Sequence, residues 1–374
     1  MKMKLLNRYA LWLSIALLTT LISCNVGNNS SNNGASTNAV QSAPALSNDN
    51  KASLYAGLMQ ANDGNFYGTT YYGGEFQNGT VFKIESNGSR SIIYSFKDDD
   101  IDGVGPQTEL IQANTGILYG TTLYGGSHDK GTIFKITLAG KESVIYSFGN
   151  GTTDGSYPFS SLTIGSDGYL YGTTSVGGKY KHGTIFKFDP NKLVKTTIYS
   201  FGNTTTDASY PTASLLQINP TTFYGTTQHG GKYGKGTIFK ISPTGTETVI
   251  YSFGGSVNDG VNPRSALIKA NDGNFYGTTP FGGNYNNGMV YKITPAGIES
   301  PFYYFVNQGT NNNGATPFGK LLQATDGNLY GTTQNGGKYN FGTIFMLSLT
   351  GIESVVYSFA SGNDGAYPYA GLIQ

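Results

Sequence analysis

All three histidines of the chain, His128, His182 and His229, fall in short glycine-rich segments that share one template. An imidazole can carry a proton near neutral pH or ligate a metal. With a nearby acid such as Asp129 or Glu75, these histidines would supply the acid–base chemistry of a hydrolase or lyase. Zinc would require loops from three separate repeats to fold inward together. The same segments hold Tyr72, Phe76, Tyr124, Tyr180, Tyr233, Phe281, Tyr285 and Tyr339. Tyrosine beside asparagine and glycine suits polar, adaptable recognition. A further set, Asp102, Asp154, Asp207, Asp259 and Asp364 with Asn313 in the remaining place, stands four residues before a proline each time. A ring of carboxylates could hold Ca²⁺, but an Asp before Gly and Pro also reads as turn chemistry. The metal assignment stays unknown. Gly-x-Ser-x-Gly, His-Glu-x-x-His, a P-loop and a metal-spaced Cys/His cluster are all missing from the sequence.

These residues sit on a repeat. Tyr-Gly-Thr-Thr begins at Tyr67, Tyr119, Tyr171, Tyr224, Tyr276 and Tyr330, at intervals of 52, 52, 53, 52 and 54 residues. A fixed period near 50 marks a repeat architecture, and propeller blades fall in this range. The second copy reads as four strands: "ELIQA" (109–113), "ILYGTT" (117–122), "GTIFKI" (131–136) and "ESVIYSF" (142–148). Each run is short, β-branched or aromatic, and bounded by Gly, Asn or Asp. Large apolar groups lie on both sides of "TIFKI" and "VIYSF", so each sheet must be covered on both faces. Stacking sheets in a closed ring does this. The expected fold is all-β: a six-bladed propeller of four-stranded antiparallel blades. A linear β-solenoid is the rival.

After the sixth copy the chain adds "YAGLIQ" (369–374), nearly a copy of "YAGLMQ" (55–60). This extra strand is expected to close the ring in the first blade, displacing the N-terminal copy. The alternative is the start of an unfinished seventh blade.

The repeated phrase has structural uses. In Asp63-Gly64-Asn65 the glycine supplies the positive φ of a tight hairpin. The Tyr of Tyr-Gly-Thr-Thr offers a ring, with a hydroxyl for a neighbouring blade, and the Gly after it permits close backbone approach. Labelling the strands a to d, the a–b and c–d turns lie on one face of the ring. The b–c and d–a loops lie on the other, and these are long and vary between copies. Function is therefore expected on the long-loop face.

Outside the repeats, residues 1–23 carry a basic start, an apolar run from about Leu11, and Leu21-Ile22-Ser23 before Cys24. This resembles a bacterial lipoprotein signal, which implies cleavage before Cys24, acylation of its thiol and an anchor in the cell envelope. The stretch 24–50 is rich in Asn, Ser, Gly and Ala and reads as a disordered tether; residues 51–374 form the propeller domain. Cys24 is the only cysteine, which excludes an intramolecular disulfide. The chain has 23 basic and 22 acidic residues; without Lys2, Lys4 and Arg8 of the leader, 20 basic remain against 22 acidic. That balance gives no electrostatic case for nucleic acid.

The phrase "P…LIQA.DGNLYGTT..GG....GTIFKI...G.ESVIYSF" resembles the GloVer repeat family of anchored bacterial proteins, over about residues 52–374. It departs from the pattern at 218–227, 288–293 and 302–308. The resemblance implies no particular activity. A looser likeness to NHL and virginiamycin-lyase-type propellers supports the strand order. A lyase or lactonase of that kind would call for an acid- or histidine-lined metal centre. The first strands instead carry Gln60, Gln112, Gln217 and Gln323, with Lys269 in place of another. Glutamine neither exchanges protons nor holds a metal strongly.

The expectation is a lipid-anchored envelope propeller that binds a glycan or protein without a cofactor. The alternative is an envelope hydrolase or lyase using the loop histidines.

Overall fold

The computed structural model describes residues 55–374 except 98, 114–115 and 309–310. The leader, Cys24 and the tether lie outside the described residues. The described chain is an all-β propeller of six four-stranded antiparallel sheets, each in the order a-b-c-d. In blade 1 these strands are Met59–Gln60, Phe66–Thr70, Thr80–Ile84 and Arg90–Ser95. Blade 6 repeats them as Leu322–Gln323, Leu329–Thr333, Thr343–Leu347 and Glu353–Ser358. Strand d carries a bulge opposite the middle of strand c in every blade, as between Val81 and Phe82 or Ile344 and Phe345. The bulge adds twist where the sheet is widest.

Blades are cemented by apolar clusters that span each junction. Tyr67, Val81 and Phe96 of blade 1 pack with Leu110, Leu118 and Phe134 of blade 2, all nearly inaccessible. Equivalent clusters join blades 2–3, 3–4, 4–5 and 5–6. Fully burying one such side chain contributes about 1.5–3 kcal/mol.

The glycine of Tyr-Gly-Thr-Thr makes room for the Phe of strand c. A Cβ on Gly68 would lie 2.6 Å from Phe82 Cζ. The tyrosine hydroxyl does not serve the neighbouring blade as the sequence led us to expect. It turns back to its own a–b hairpin: Tyr67 donates to Asp63 Oδ2 at 2.8 Å, and Tyr171, Tyr276 and Tyr330 do likewise to Asp167, Asp272 and Asp326. The tie between blades falls instead to the first threonine. Thr69 Oγ1 donates to the carbonyl of Thr108, and Thr226 to that of Ser265.

The C-terminal segment uses the same contacts. Thr332 Oγ1 donates to Ala370 O at 3.0 Å, and Gln374 Oε1 accepts from Thr325 N at 2.9 Å. The latter copies the bond that Gln112, Gln217 and Gln323 make to the blade before them. On its other side, Ile373 packs against Leu58, Phe82 and Ile84 of blade 1. Residues 369–374 therefore bridge blades 6 and 1. The N-terminal copy is not displaced, because Met59–Gln60 still pairs with Phe66 and Tyr67.

At its c–d hairpin this junction is looser than the blade 1–2 junction. At the blade 1–2 junction the c–d hairpin presses on the preceding blade so closely that a Cβ on Gly140 would meet Ile93 O at 2.2 Å; at Gly88 of blade 1 nothing described lies within 4 Å. Val356 on the last strand is 55% exposed.

Candidate ligand-binding face

The b–c and d–a loops share one face and are stitched together. In blades 3, 4 and 5 a two-residue ribbon joins them: Gly155 and Ser156 pair with Gly177 and Val176, Ala208 and Ser209 with Gly230 and His229, Gly260 and Val261 with Gly282 and Phe281. The residue before each inter-blade proline is held in the left-handed region: Gly105, Tyr157, Tyr210, Asn262, Thr316 and Tyr367, with φ between 53° and 67°. For a residue preceding proline this costs energy, on the order of 1–3 kcal/mol where the residue is not glycine. The preceding b–c loop fixes it, since each of these amides donates to a carbonyl there, as Tyr157 N to Lys130 O at 2.8 Å and Tyr367 N to Phe341 O at 2.7 Å.

The acids that recur before each inter-blade proline are part of this frame. Asp259 accepts from the Tyr251 hydroxyl and from the amides of Gly254, Gly255 and Gly260, all within 3.0 Å. Asp102, Asp154 and Asp207 make equivalent sets and are buried. Asn313 and Asp364 keep part of the pattern. Their lone pairs are used by their own turns. Among the described residues no three His, Cys, Asp or Glu side chains gather in metal-binding geometry.

A glutamate from the next blade faces three of these sites. Glu142, Glu247 and Glu299 are pushed up to about 7, chiefly by burial and then by the charges of Asp102, Asp207 and Asp259. In each, Oε1 is buried without a hydrogen-bond partner. Lys195 stands at the matching place in blade 3, where it pairs with Asp154 and donates to Thr197 Oγ1 at 2.7 Å.

The candidate residues separate into two concentric sets. Phe76, His128, Tyr180, Tyr233, Tyr285 and Tyr339 occupy matching loop tips on the outer rim. Phe76, Tyr233, Tyr285 and Tyr339 are 41–46% exposed. The ammonium groups of Lys179, Lys232 and Lys338 lie 5.1, 5.2 and 5.0 Å from the ring centres of Tyr180, Tyr233 and Tyr339. Each tip turns through a left-handed residue next in sequence: Gln77, Asp129, Lys181, Gly234, Asn286 and Asn340.

Tyr72, Tyr124, His182, His229 and Phe281 lie off the tips, in contact with residues that the loop template did not single out. His182 and His229 flank Tyr210 edge-on at 6.0 and 5.4 Å. Burial, then the charges of Arg264 and Lys235, hold the His229 imidazole below its ordinary range. His128 is exposed on the outer rim. Asp129 Oδ1 accepts from its own loop at Gly125 N.

Further in, aromatic rings run around the start of the innermost strands. Phe281 meets Phe318 at 6.4 Å; Phe318 stacks on Tyr369 at 5.1 Å and 28°; Tyr369 meets Tyr55 at 5.6 Å; Tyr55 meets Tyr71 at 5.6 Å; Tyr71 meets Tyr72 at 4.5 Å. Tyr124 continues the series to Tyr157, whose hydroxyl accepts from Lys130 Nζ at 2.7 Å. Arg264 lies over the Phe318 ring at 5.3 Å.

Tyr55, Phe318, Tyr369 and Arg264 lie outside the glycine-bounded loops, at the start of the first strands, where no local motif marks them. A signal is present all the same in the residue following each inter-blade proline: Gln107, Phe159, Thr212, Arg264, Phe318 and Tyr369 differ in type, whereas the residue after each is small (Thr108, Ser160, Ala213, Ser265, Gly319 and Ala370).

Among solved structures the chain is similar to a candidate 6-phosphogluconolactonase from Bacteroides uniformis, with TM-score 0.53 at 14% identity over 88% of each chain. A second protein so described, from Bacteroides fragilis, gives 0.51 at 16% identity over 85% of this chain and 86% of that one. The extracellular domain of a candidate hybrid two-component system from B. thetaiotaomicron gives 0.55 at 12% identity, over 85% of this chain and 36% of that one. These likenesses establish the propeller fold and nothing finer. No curated protein matches the sequence. The Gloeobacter/Verrucomicrobia repeat matches residues 30–222 and 205–374. The chain therefore belongs to the Gloeobacter/Verrucomicrobia repeat proteins.

Proposed function

We propose that the protein is a noncatalytic binding propeller, carried on the bacterial cell envelope by a lipid on Cys24, that engages a glycan through its long-loop face. The observation that carries this reading is the two-tier aromatic surface: exposed tyrosines at the rim and a mutually stacked ring run inside it. Sugar rings present flat C–H faces that lie well on such side chains, and tyrosine hydroxyls add hydrogen bonds. A rigid frame beneath the loops limits the ordering entropy lost on binding. The structural likeness to the extracellular domain of a hybrid two-component system fits the same reading as analogy. The membrane attachment is proposed from the leader alone.

A glycan array and thermal-shift screen of the full chain tests the reading, with Ca²⁺ and Zn²⁺ as separate additions. A glycan that raises the melting temperature of the wild type, but not of the Tyr180→Ala/Tyr233→Ala variant, supports it. Stabilisation by zinc that disappears in His182→Ala or His229→Ala would favour the hydrolase or lyase instead. Incorporation of labelled fatty acid, lost on Cys24→Ala, tests the anchor.

A further inference from the structure

Arg264 is the one arginine set into the aromatic run at the mouth of the propeller axis, and its charge has no acidic partner. Among the described residues no carboxylate lies within ion-pair distance of it. Its neighbours are the Phe318 ring and Gln228. With the Gln228 amide oxygen turned toward it, Arg264 donates through Nε and, at 2.9 Å, through Nη2. A guanidinium has five N–H donors. The three left over take no described acceptor, and they include the Nη pair that meets a carboxylate bidentately.

The surroundings favour an anion. Arg264 and Lys235 both act on His229 with the sign of a positive field. Burial draws the Arg264 pKa down, the mark of a cation deprived of water without a counter-charge. Two further polar groups on the same ring of positions are also unspent. Thr212 Oγ1 and Gln107 Nε2 are buried and have no hydrogen-bond partner. Each occupies the position after an inter-blade proline that Arg264 occupies in blade 5. Buried polar atoms are satisfied in the great majority of cases; these two are among eight described side-chain atoms left without a partner, and they share the ring of positions that holds Arg264. Beside Arg264, the Phe318 ring stacks on Tyr369, and Tyr55 meets Tyr369 at a tilt, so the run offers a cluster of apolar ring edges with phenol hydroxyls at two of them.

We propose that this mouth binds an acidic saccharide, its carboxylate paired with Arg264, its sugar ring lying on the Phe318–Tyr369–Tyr55 run, and its hydroxyls meeting Thr212 and Gln107. The inference rests on the glycan-binding reading and adds the ligand class and the anchoring residue.

Calorimetric titration of the full chain with trigalacturonate, a neutral galactose trisaccharide, benzoate and sodium sulfate tests it. Trigalacturonate binds saturably, about tenfold or more tighter than the neutral trisaccharide, as expected for a charge-assisted pair. Arg264→Gln abolishes that preference, and Arg264→Lys does not restore it in full. Circular dichroism checks the fold of each variant. Should Arg264→Gln not fold, Thr212→Val and Gln107→Leu together must still weaken trigalacturonate about threefold or more. Equal binding of acidic and neutral sugars overturns the proposal, as does an unchanged preference in Arg264→Gln. Benzoate or sulfate binding as tightly as trigalacturonate overturns its saccharide part. Sugar binding lost in Tyr180→Ala/Tyr233→Ala but untouched in Arg264→Gln refutes this site and keeps the binding function. Failure of every saccharide in the titration and on the array refutes both.

Discussion

Each repeat spends an aspartate on backbone amides, and its worth can be measured at Asp259. Its carboxylate takes four donors, three of them backbone amides. Asp259→Ala leaves those donors unpaired, and urea denaturation is expected to show a loss of about 2–4 kcal/mol. Asp259→Asn should cost less, because Asn313 already performs the role in blade 5, receiving Val306 N and donating to Glu353. A loss below about 0.5 kcal/mol for the alanine variant would contradict the assignment. The glutamates facing these sites give a pH dependence. Glu142, Glu247 and Glu299 titrate near 7 when folded, above the ordinary 4.5. Protons are therefore bound more tightly by the folded state, and that stabilisation is full below pH 4.5 and lost as pH rises through 7. The melting temperature should decline between pH 5 and 8, and the triple Glu→Gln variant should flatten the decline. A wild-type curve that is flat, or a triple variant with the same slope, would count against it. The aspartates' role was legible from their spacing before proline. The glutamate pairing was not, since it joins residues of adjacent blades some 40 positions apart that no local motif links.

At the scale of the strand, the repeat phrase announced the elements faithfully: four strands per copy, a tight hairpin at Asp-Gly-Asn, and long loops at Gly-Gly. What it did not reveal was the destination of its hydroxyls. Tyr67 and Asp63 are four residues apart, and only the hairpin's geometry shows that they meet. The closing segment follows the same rule. Its likeness to residues 55–60 predicted a strand at the first blade, yet the structure seats it between blades 6 and 1 with the N-terminal strand kept in place. Ile373 supplies the segment's aliphatic contact with the blade 1 core beside the Tyr369–Tyr55 ring contact, so Ile373→Asp should lower the melting temperature by several degrees. Hydrogen exchange should then rise first in strands Met59–Gln60 and Glu353–Ser358, which flank the junction. Exchange that rises uniformly around the ring would mean that this junction is no weaker than the rest.

For the whole molecule, the ring places all variable loops on one face and all tight a–b and c–d hairpins on the other. That division was readable from strand count and loop length alone. The inner tier of the site was not, because its residues come from the first positions of six separate repeats and from the last six residues of the chain. Tyr55 and Tyr369 stand 314 positions apart in sequence and 5.6 Å apart in space. Arg264 among them gives the face its sign. We propose this long-loop face as the place where a saccharide binds. Hydrogen–deuterium exchange of the full chain with and without saturating trigalacturonate tests it most directly. Protection confined to the loops 71–78, 228–235 and 280–287 and to the segments around Arg264 and Tyr369 is the predicted result. Protection at the opposite hairpins around Asp63 and Asp272, or none anywhere, would contradict it.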